Sequence, residues 1–232
     1  MIGNIDQKLK RAVDDLQQGK PIMLYDFDGR EEETDLIYYG PKVDARAVAH
    51  LRSWAGAPLS VYVDNETGTA LGLTTFLDFV KSLQDSKYER IKSLAAPAGG
   101  FDPRFAVTLD HRSNRTGCSH RETANTIAML SQLVAKGRYV DFEGEFRSPG
   151  HVPLIMAAKG LLKTRRGHTE LILRIGQIGG LLPIMVASEI LDAYTCDSMH
   201  KDRAVAYAEG NGIVYLSGEE IMACEELEAA VA

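Results

Sequence analysis

Residues 26–35 read Asp-Phe-Asp-Gly-Arg-Glu-Glu-Glu-Thr-Asp, six carboxylates and one arginine in ten residues. Crowded like charges cost energy unless a proton or a cation relieves them. A hard divalent cation does so with oxygen ligands. By residue type alone the run reads either as a solvated acidic turn or as a metal or acid/base site. The apolar stretches on both sides, residues 21–25 and 36–39, hold it close to the core in either case.

Three further segments carry reactive residue types. Phe146-Arg-Ser-Pro-Gly-His151 sets a histidine directly after a Pro-Gly turn signal and before an apolar run. It reads as a loop histidine bonded to backbone or as an acid/base group. Thr164-Arg-Arg-Gly-His-Thr-Glu170 opens a predicted helix with two arginines and a glycine. Helix N-termini attract anions and arginine grips phosphate through two N–H groups, so this is a phosphate cradle or else a capped helix with surface arginines. Thr116-Gly-Cys-Ser119 precedes another capped helix and offers a second set of phosphate-facing donors. Glu189 closes an apolar run, where a carboxylate is either catalytic or a strand terminator.

These residues need a scaffold, and the patterning supplies one. Ile5, Leu9, Val13 and Leu16 recur at helical spacing and Gly19 stops the run. Strands are predicted over 21–25 and 36–39, so the acidic run caps a hairpin-like corner. Asp44 caps a helix through Arg52, and 59–63 is a strand. Residues 64–72 read as loop and 74–83 as helix. Residues 85–103, with Pro97, Gly99, Gly100 and Pro103, read as a long mobile surface loop. A strand over 105–109 precedes Ser119-His-Arg-Glu122, a capping box opening a helix to Lys136. Strands at 152–157, 183–187 and 213–216 alternate with helices at 168–176, 199–209 and after Ser217. Alternating elements without a linker or repeat predict one α+β (α/β) domain.

Composition narrows the function. The chain has 232 residues, 45% hydrophobic and 25% charged, with net charge −6, an ordinary globular balance that argues against a nucleic-acid partner. Cys118, Cys196 and Cys224 form no CxxC pair, which disfavours a zinc ribbon or a disulfide framework and suits a reducing cytoplasm. The apolar runs are shorter than the ~20 residues of a membrane span, so no membrane association is expected. There is no P-loop, HExxH, GxSxG or dinucleotide fingerprint.

In this order the segments resemble the 3,4-dihydroxy-2-butanone 4-phosphate synthase family. Its early hallmark is roughly Asp-x-Glu-Asp-Arg-Glu-x-Glu-x-Asp-Leu-Ile, and Asp28-Gly-Arg-Glu-Glu-Glu-Thr-Asp-Leu-Ile37 keeps Arg30, Glu31, Glu33 and Asp35. Thr116-Gly-Cys-Ser119, Arg147-Ser-Pro-Gly-His151 and Arg165-Arg-Gly-His-Thr-Glu170 match three later motifs, and Glu189 has the spacing of the essential glutamate. The sequence departs at Phe27, usually acidic, at Gly29, and at Ser60, usually cysteine.

The resemblance implies a single domain over residues 1–232, a mixed-sheet sandwich flanked by helices, without a fused GTP cyclohydrolase II domain. It implies conversion of D-ribulose 5-phosphate to 3,4-dihydroxy-2-butanone 4-phosphate and formate in riboflavin biosynthesis. The cofactor would be Mg²⁺ or Mn²⁺, with no organic cofactor. Glu31 and His168 would hold the metal. His151 and Glu189 would be acid/base groups, with Asp35 and Glu33 binding hydroxyls or shuttling protons. Arg30, Thr116, Ser119, Arg165, Arg166, Gly167 and Thr169, with Asp35 and Glu189, would contact substrate. A cytoplasmic homodimer with sites near the subunit interface is expected. The competing readings are a metal-dependent pentose-phosphate isomerase, epimerase or aldolase, and a non-catalytic sugar-phosphate binder.

Overall fold

The computed structural model describes residues 2–95 and 103–231. The chain runs α1 (Ile2–Gln17), β1 (Ile22–Tyr25), β2 (Thr34–Tyr39), α2 (Ala45–His50), β3 (Ser60–Val63), α3 (Asn65–Ala70), α4 (Phe76–Ser82), α5 (Glu89–Leu94), β4 (Phe105–His111) and α6 (His120–Ala135). It continues with α7 (Phe142–Glu145), β5 (Phe146–Met156), α8 (His168–Ile178), β6 (Ile184–Glu189), β7 (Leu191–Asp192), β8 (Asp197–Ser198), α9 (Lys201–Asn211), β9 (Val214–Ser217) and α10 (Gly218–Val231).

Among the described residues, seven strands form one mixed sheet in the order β4-β5-β3-β6-β2-β1-β9. The hairpin β1–β2 is antiparallel, as are β2–β6, β3–β6 and β4–β5. The pairs β3–β5 and β1–β9 are parallel. Helices cover both faces, which explains the unbroken apolar runs of the central strands. On one face Leu16 of α1, Leu171 and Ile175 of α8 and Ile221 of α10 pack on Ile22, Leu24, Ile37 and Ala187. On the other, Val48 of α2, Ile127 and Leu130 of α6 and Ala204 of α9 pack on Met23, Leu36, Val61 and Val186. The result is α+β, a helix–sheet–helix sandwich.

Local signals act as expected at several joints. Gly19 adopts φ +76 after α1. Asp44 accepts the backbone N–H groups of Arg46 and Ala47, and Ser119 caps α6 through the N–H of Glu122; such caps contribute about 1 kcal/mol each. The structure corrects three sequence expectations. Residues 64–72 hold the short helix α3, because Asp64 accepts the N–H of Thr67 and Gly68 fits against Met156. The Pro149-Gly150 pair lies inside a continuous β5, across a register shift against β4, where a Cβ on Gly150 would overlap the Leu109 backbone. Within 85–103, residues Ser86–Tyr88 form a 3-10 turn leading into α5, while 96–102 lie outside the described residues.

Candidate active site

The acidic run is organised by its first member. Asp26 is fully buried, and its carboxylate accepts the N–H groups of Glu31 (3.1 Å) and Glu33 (3.1 Å) and the Arg30 guanidinium (2.8 Å). A glycine at φ +77, Gly29, makes the turn; L side chains avoid that region. Thus pinned, the chain directs Glu31, Glu33 and Asp35 to one cavity while Glu32 stays exposed.

That cavity, about 420 Å³, lies on the face covered by α8. Its walls include Asp35 of β2, Glu189 of β6, Ser60 and Tyr62 of β3, Ile155 of β5, and Arg165, His168 and Thr169. Asp35 and Glu189 are direct partners across the antiparallel β2–β6 pair. Ser198, on β8, donates to the Glu189 carboxylate at 2.6 Å. Ser60, the cysteine position of the resemblance, lines the floor. Phe27, where an acid was expected, packs against Gly218 instead.

Electrostatics follow from this crowding. Burial, then Glu189, pushes Glu33 up to about 7. Burial also lifts Asp35 to about 6, with Glu189 and Glu31 adding to it against the pull of His168. Burial opposes charge on His168, yet Asp35, the Glu31 hydrogen bond and Asp26 outweigh it and raise the imidazole to about 9. Glu31 resists burial through His168 and Arg30 and falls to about 2.

The donor set fits a divalent cation. His168 Nε2 meets the Glu33 carbonyl oxygen at 3.1 Å, and Nδ1 meets Glu31 Oε2 at 3.0 Å. A backbone carbonyl only accepts, so Nε2 carries a hydrogen and Nδ1 faces Glu31. Adjacent oxygen and nitrogen ligands of an octahedral ion, bound at about 2.1 Å, stand about 3 Å apart. Asp26, Glu31 and His168 bring ligand atoms within 4.8 Å of one another. Asp26 spends both oxygens on the turn, which leaves Glu31 and His168 as the pair suited to a metal.

Two cations converge beside Gly167: Arg165, which lines the cavity, and Arg30, which does not line it and bridges Asp26 and Glu31 (2.7 Å). A Cβ on Gly167 would overlap the Arg165 guanidinium and reach Arg30 Nη2 at 2.9 Å. Arg165 is held at 2.6 Å by Glu170, which is fully buried and also accepts the N–H of Ala158. Gly167 is the N-cap of α8 and offers no side chain to the helix's first N–H groups, which leaves them for an anion.

Not every expected residue reaches this cavity. Arg166 is exposed and does not line it. Thr116 and Ser119 are exposed, and their hydroxyls donate to Glu122, whose carboxylate also takes the N–H groups of Arg115, Thr116 and Gly117. The phosphate-facing donors expected there are therefore engaged by the chain's own glutamate. His151 does not line the cavity either; it sits on the β4–β5 pair, half exposed, against Asp110. Asp110 and Ser198 escape sequence reasoning, and the organising role of Asp26 does too. Only Asp26 gave a local signal, as the first carboxylate of the run.

Fold and site together define an enzyme with acid/base groups gathered in one small cavity. A family model described as 3,4-dihydroxy-2-butanone 4-phosphate synthase matches residues 10–224. Synthases of that name from Methanosarcina acetivorans and Archaeoglobus fulgidus are each 34% identical to the chain. The first match covers 94% of this chain and 90% of the relative, the second 89% of each. A solved 3,4-dihydroxy-2-butanone 4-phosphate synthase in complex with two magnesium ions superposes with a TM-score of 0.76 at 24% identity, covering 94% of this chain and 96% of that one. The chain belongs to the 3,4-dihydroxy-2-butanone 4-phosphate synthase family. No described helix is long and apolar enough to cross a membrane.

Proposed function

We propose that the chain converts D-ribulose 5-phosphate to 3,4-dihydroxy-2-butanone 4-phosphate and formate, the four-carbon step of riboflavin biosynthesis, with Mg²⁺ or Mn²⁺ held by Glu31 and His168. The observation that carries this reading is the opposition of Asp35 and Glu189 in a cavity that also holds Glu33, the Glu31–His168 pair and Arg165. Enolisation, dehydration and skeletal rearrangement need repeated proton transfers at different oxygens. The overall reaction balances without an external oxidant or reductant.

When bound, the cation supplies Lewis-acid polarisation of the sugar carbonyl and its neighbouring hydroxyl. Arg30, Arg165 and the start of α8 anchor the phosphate, with Thr169 beside them. Glu33 and Asp35, raised to about 7 and about 6, exchange protons close to neutral pH. Glu189, oriented by Ser198, stands beside Asp35 on the cavity side of the sheet, so both carboxylates reach the same end of the substrate. Tyr62, Ile155 and Phe105 form an apolar wall that restricts water.

His151 completes the set from a second copy of the chain. Its place outside its own cavity, on the pair containing the edge strand β4, supports a homodimer with shared sites. Thr116 is tied to that pair through Arg147, which donates to Asp110 and to the Thr116 carbonyl. The test is formate release from D-ribulose 5-phosphate, with Mg²⁺ and then with EDTA. Metal-dependent formate in step with a four-carbon phosphate supports the reading. A five-carbon product without formate would favour an isomerase or epimerase.

A further inference from the structure

Asp110 ends a chain of contacts that the proposed chemistry leaves unexplained. It is 1% exposed, at the point where β4 and β5 lose register. One carboxylate oxygen accepts the backbone N–H of His151 at 3.2 Å. The other lies 2.9 Å from His151 Nδ1 and 3.3 Å from Arg147 Nη2. An oxygen that accepts from a guanidinium accepts from the imidazole as well, so the ring hydrogen lies on Nδ1.

The surroundings are shaped for this contact. Gly117 passes the carboxylate at φ +99, and a Cβ there would overlap it. Gly150, next to His151, lies so close to β4 that a Cβ would overlap the Leu109–Asp110 backbone, and its N–H is held by Thr108 Oγ1 at 3.0 Å. Two glycines and a threonine thus bring a buried carboxylate and a half-exposed imidazole together at a fixed angle.

We infer that Asp110 is a positioning residue for His151: it fixes the Nδ1–H tautomer and aims the Nε2 lone pair outward as the base that a second copy's cavity receives. The inference rests on the reading of His151 as an acid/base group. A carboxylate behind an imidazole holds its tautomer and orientation without touching substrate. Arg147 donates to the same carboxylate oxygen, and Gly117 leaves the space in which it stands.

The test is steady-state formate release by Asp110→Asn, His151→Ala and the double variant, all as full chains with Mg²⁺. Asp110→Asn is expected to lower kcat about 100-fold, within the range a positioned acid or base contributes, with KM almost unchanged. His151→Ala should lose at least as much, and the double variant no more than His151→Ala alone. An Asp110→Asn loss that recurs in full on the His151→Ala background, or wild-type activity in Asp110→Asn, overturns the inference. Wild-type activity in His151→Ala instead overturns the reading beneath it. Should Asp110→Asn not fold, ¹⁵N NMR of the wild-type protein decides: neutral His151 protonated at Nδ1 is the expected result, and protonation at Nε2 refutes it.

Discussion

Asp35 on β2 and Glu189 on β6 are Cα partners across an antiparallel pair, so two carboxylates face one another on the same side of the sheet. Like charges directly opposite destabilise a sheet. The fold tolerates the pair because protons or a cation neutralise the cavity that Asp35, Glu189 and Glu33 share.

That arrangement has a cost in the ion-free protein. The Asp35 carboxyl is raised in the fold from 3.8 to about 6. The folded state therefore holds the proton more tightly than the unfolded chain. Its contribution is fully present below the unfolded pKa and is lost as pH rises through about 6. At pH 8 the ionised group costs up to about 3 kcal/mol. Asp35→Asn in EDTA should melt about 5 °C or more above wild type at pH 8, and the gain should shrink toward pH 4. It should also lower formate release about 100-fold. A lower melting temperature at pH 8 would refute the charge-crowding account.

Cation binding should act on the same balance from the other side. Mg²⁺ is expected to raise the melting temperature of the wild-type chain, since a ligand that binds only the folded state stabilises it by mass action. Glu31→Gln and His168→Ala should lose this shift while remaining folded. An undiminished shift in both variants would place the ion elsewhere.

The proposed phosphate grip depends on an absent side chain. Gly167→Ala must displace the Arg165 guanidinium and crowd Arg30. Loss of one charge-assisted hydrogen bond is worth about 1.5–3 kcal/mol, so KM for D-ribulose 5-phosphate should rise about 10-fold or more with a smaller change in kcat. A change confined to kcat would detach these arginines from substrate binding.

Sharing of sites between copies is testable by mixing two inactive chains. His151→Ala and Glu189→Gln, unfolded and refolded together, should regain about a quarter of wild-type activity, because half the molecules in a two-fold dimer would be mixed and each would have one intact site. No recovery, with mixed dimers present, would put His151 and Glu189 in the same chain's site.

Sequence reasoning reached the parts governed by local rules. The stripe of α1, the cap at Asp44, the capping box at Ser119 and the hairpin around the acidic run each depend on residues close in sequence. The motif arginines, histidines and carboxylates were visible because their types are costly to place together. What was missed depends on distant partners. Pro149-Gly150 looks like a turn until β4 lies alongside it, and Asp110 is an ordinary strand-end aspartate until β5 brings His151 to it. Ser198 has no signal of its own before the β7–β8 hairpin carries it to Glu189.

The most direct test follows one carbon. D-Ribulose 5-phosphate labelled with ¹³C at C4, incubated with the protein and Mg²⁺, should give labelled formate and an unlabelled four-carbon phosphate, with neither formed in EDTA. Label retained in a five-carbon phosphate, or formate released without it, would contradict the account.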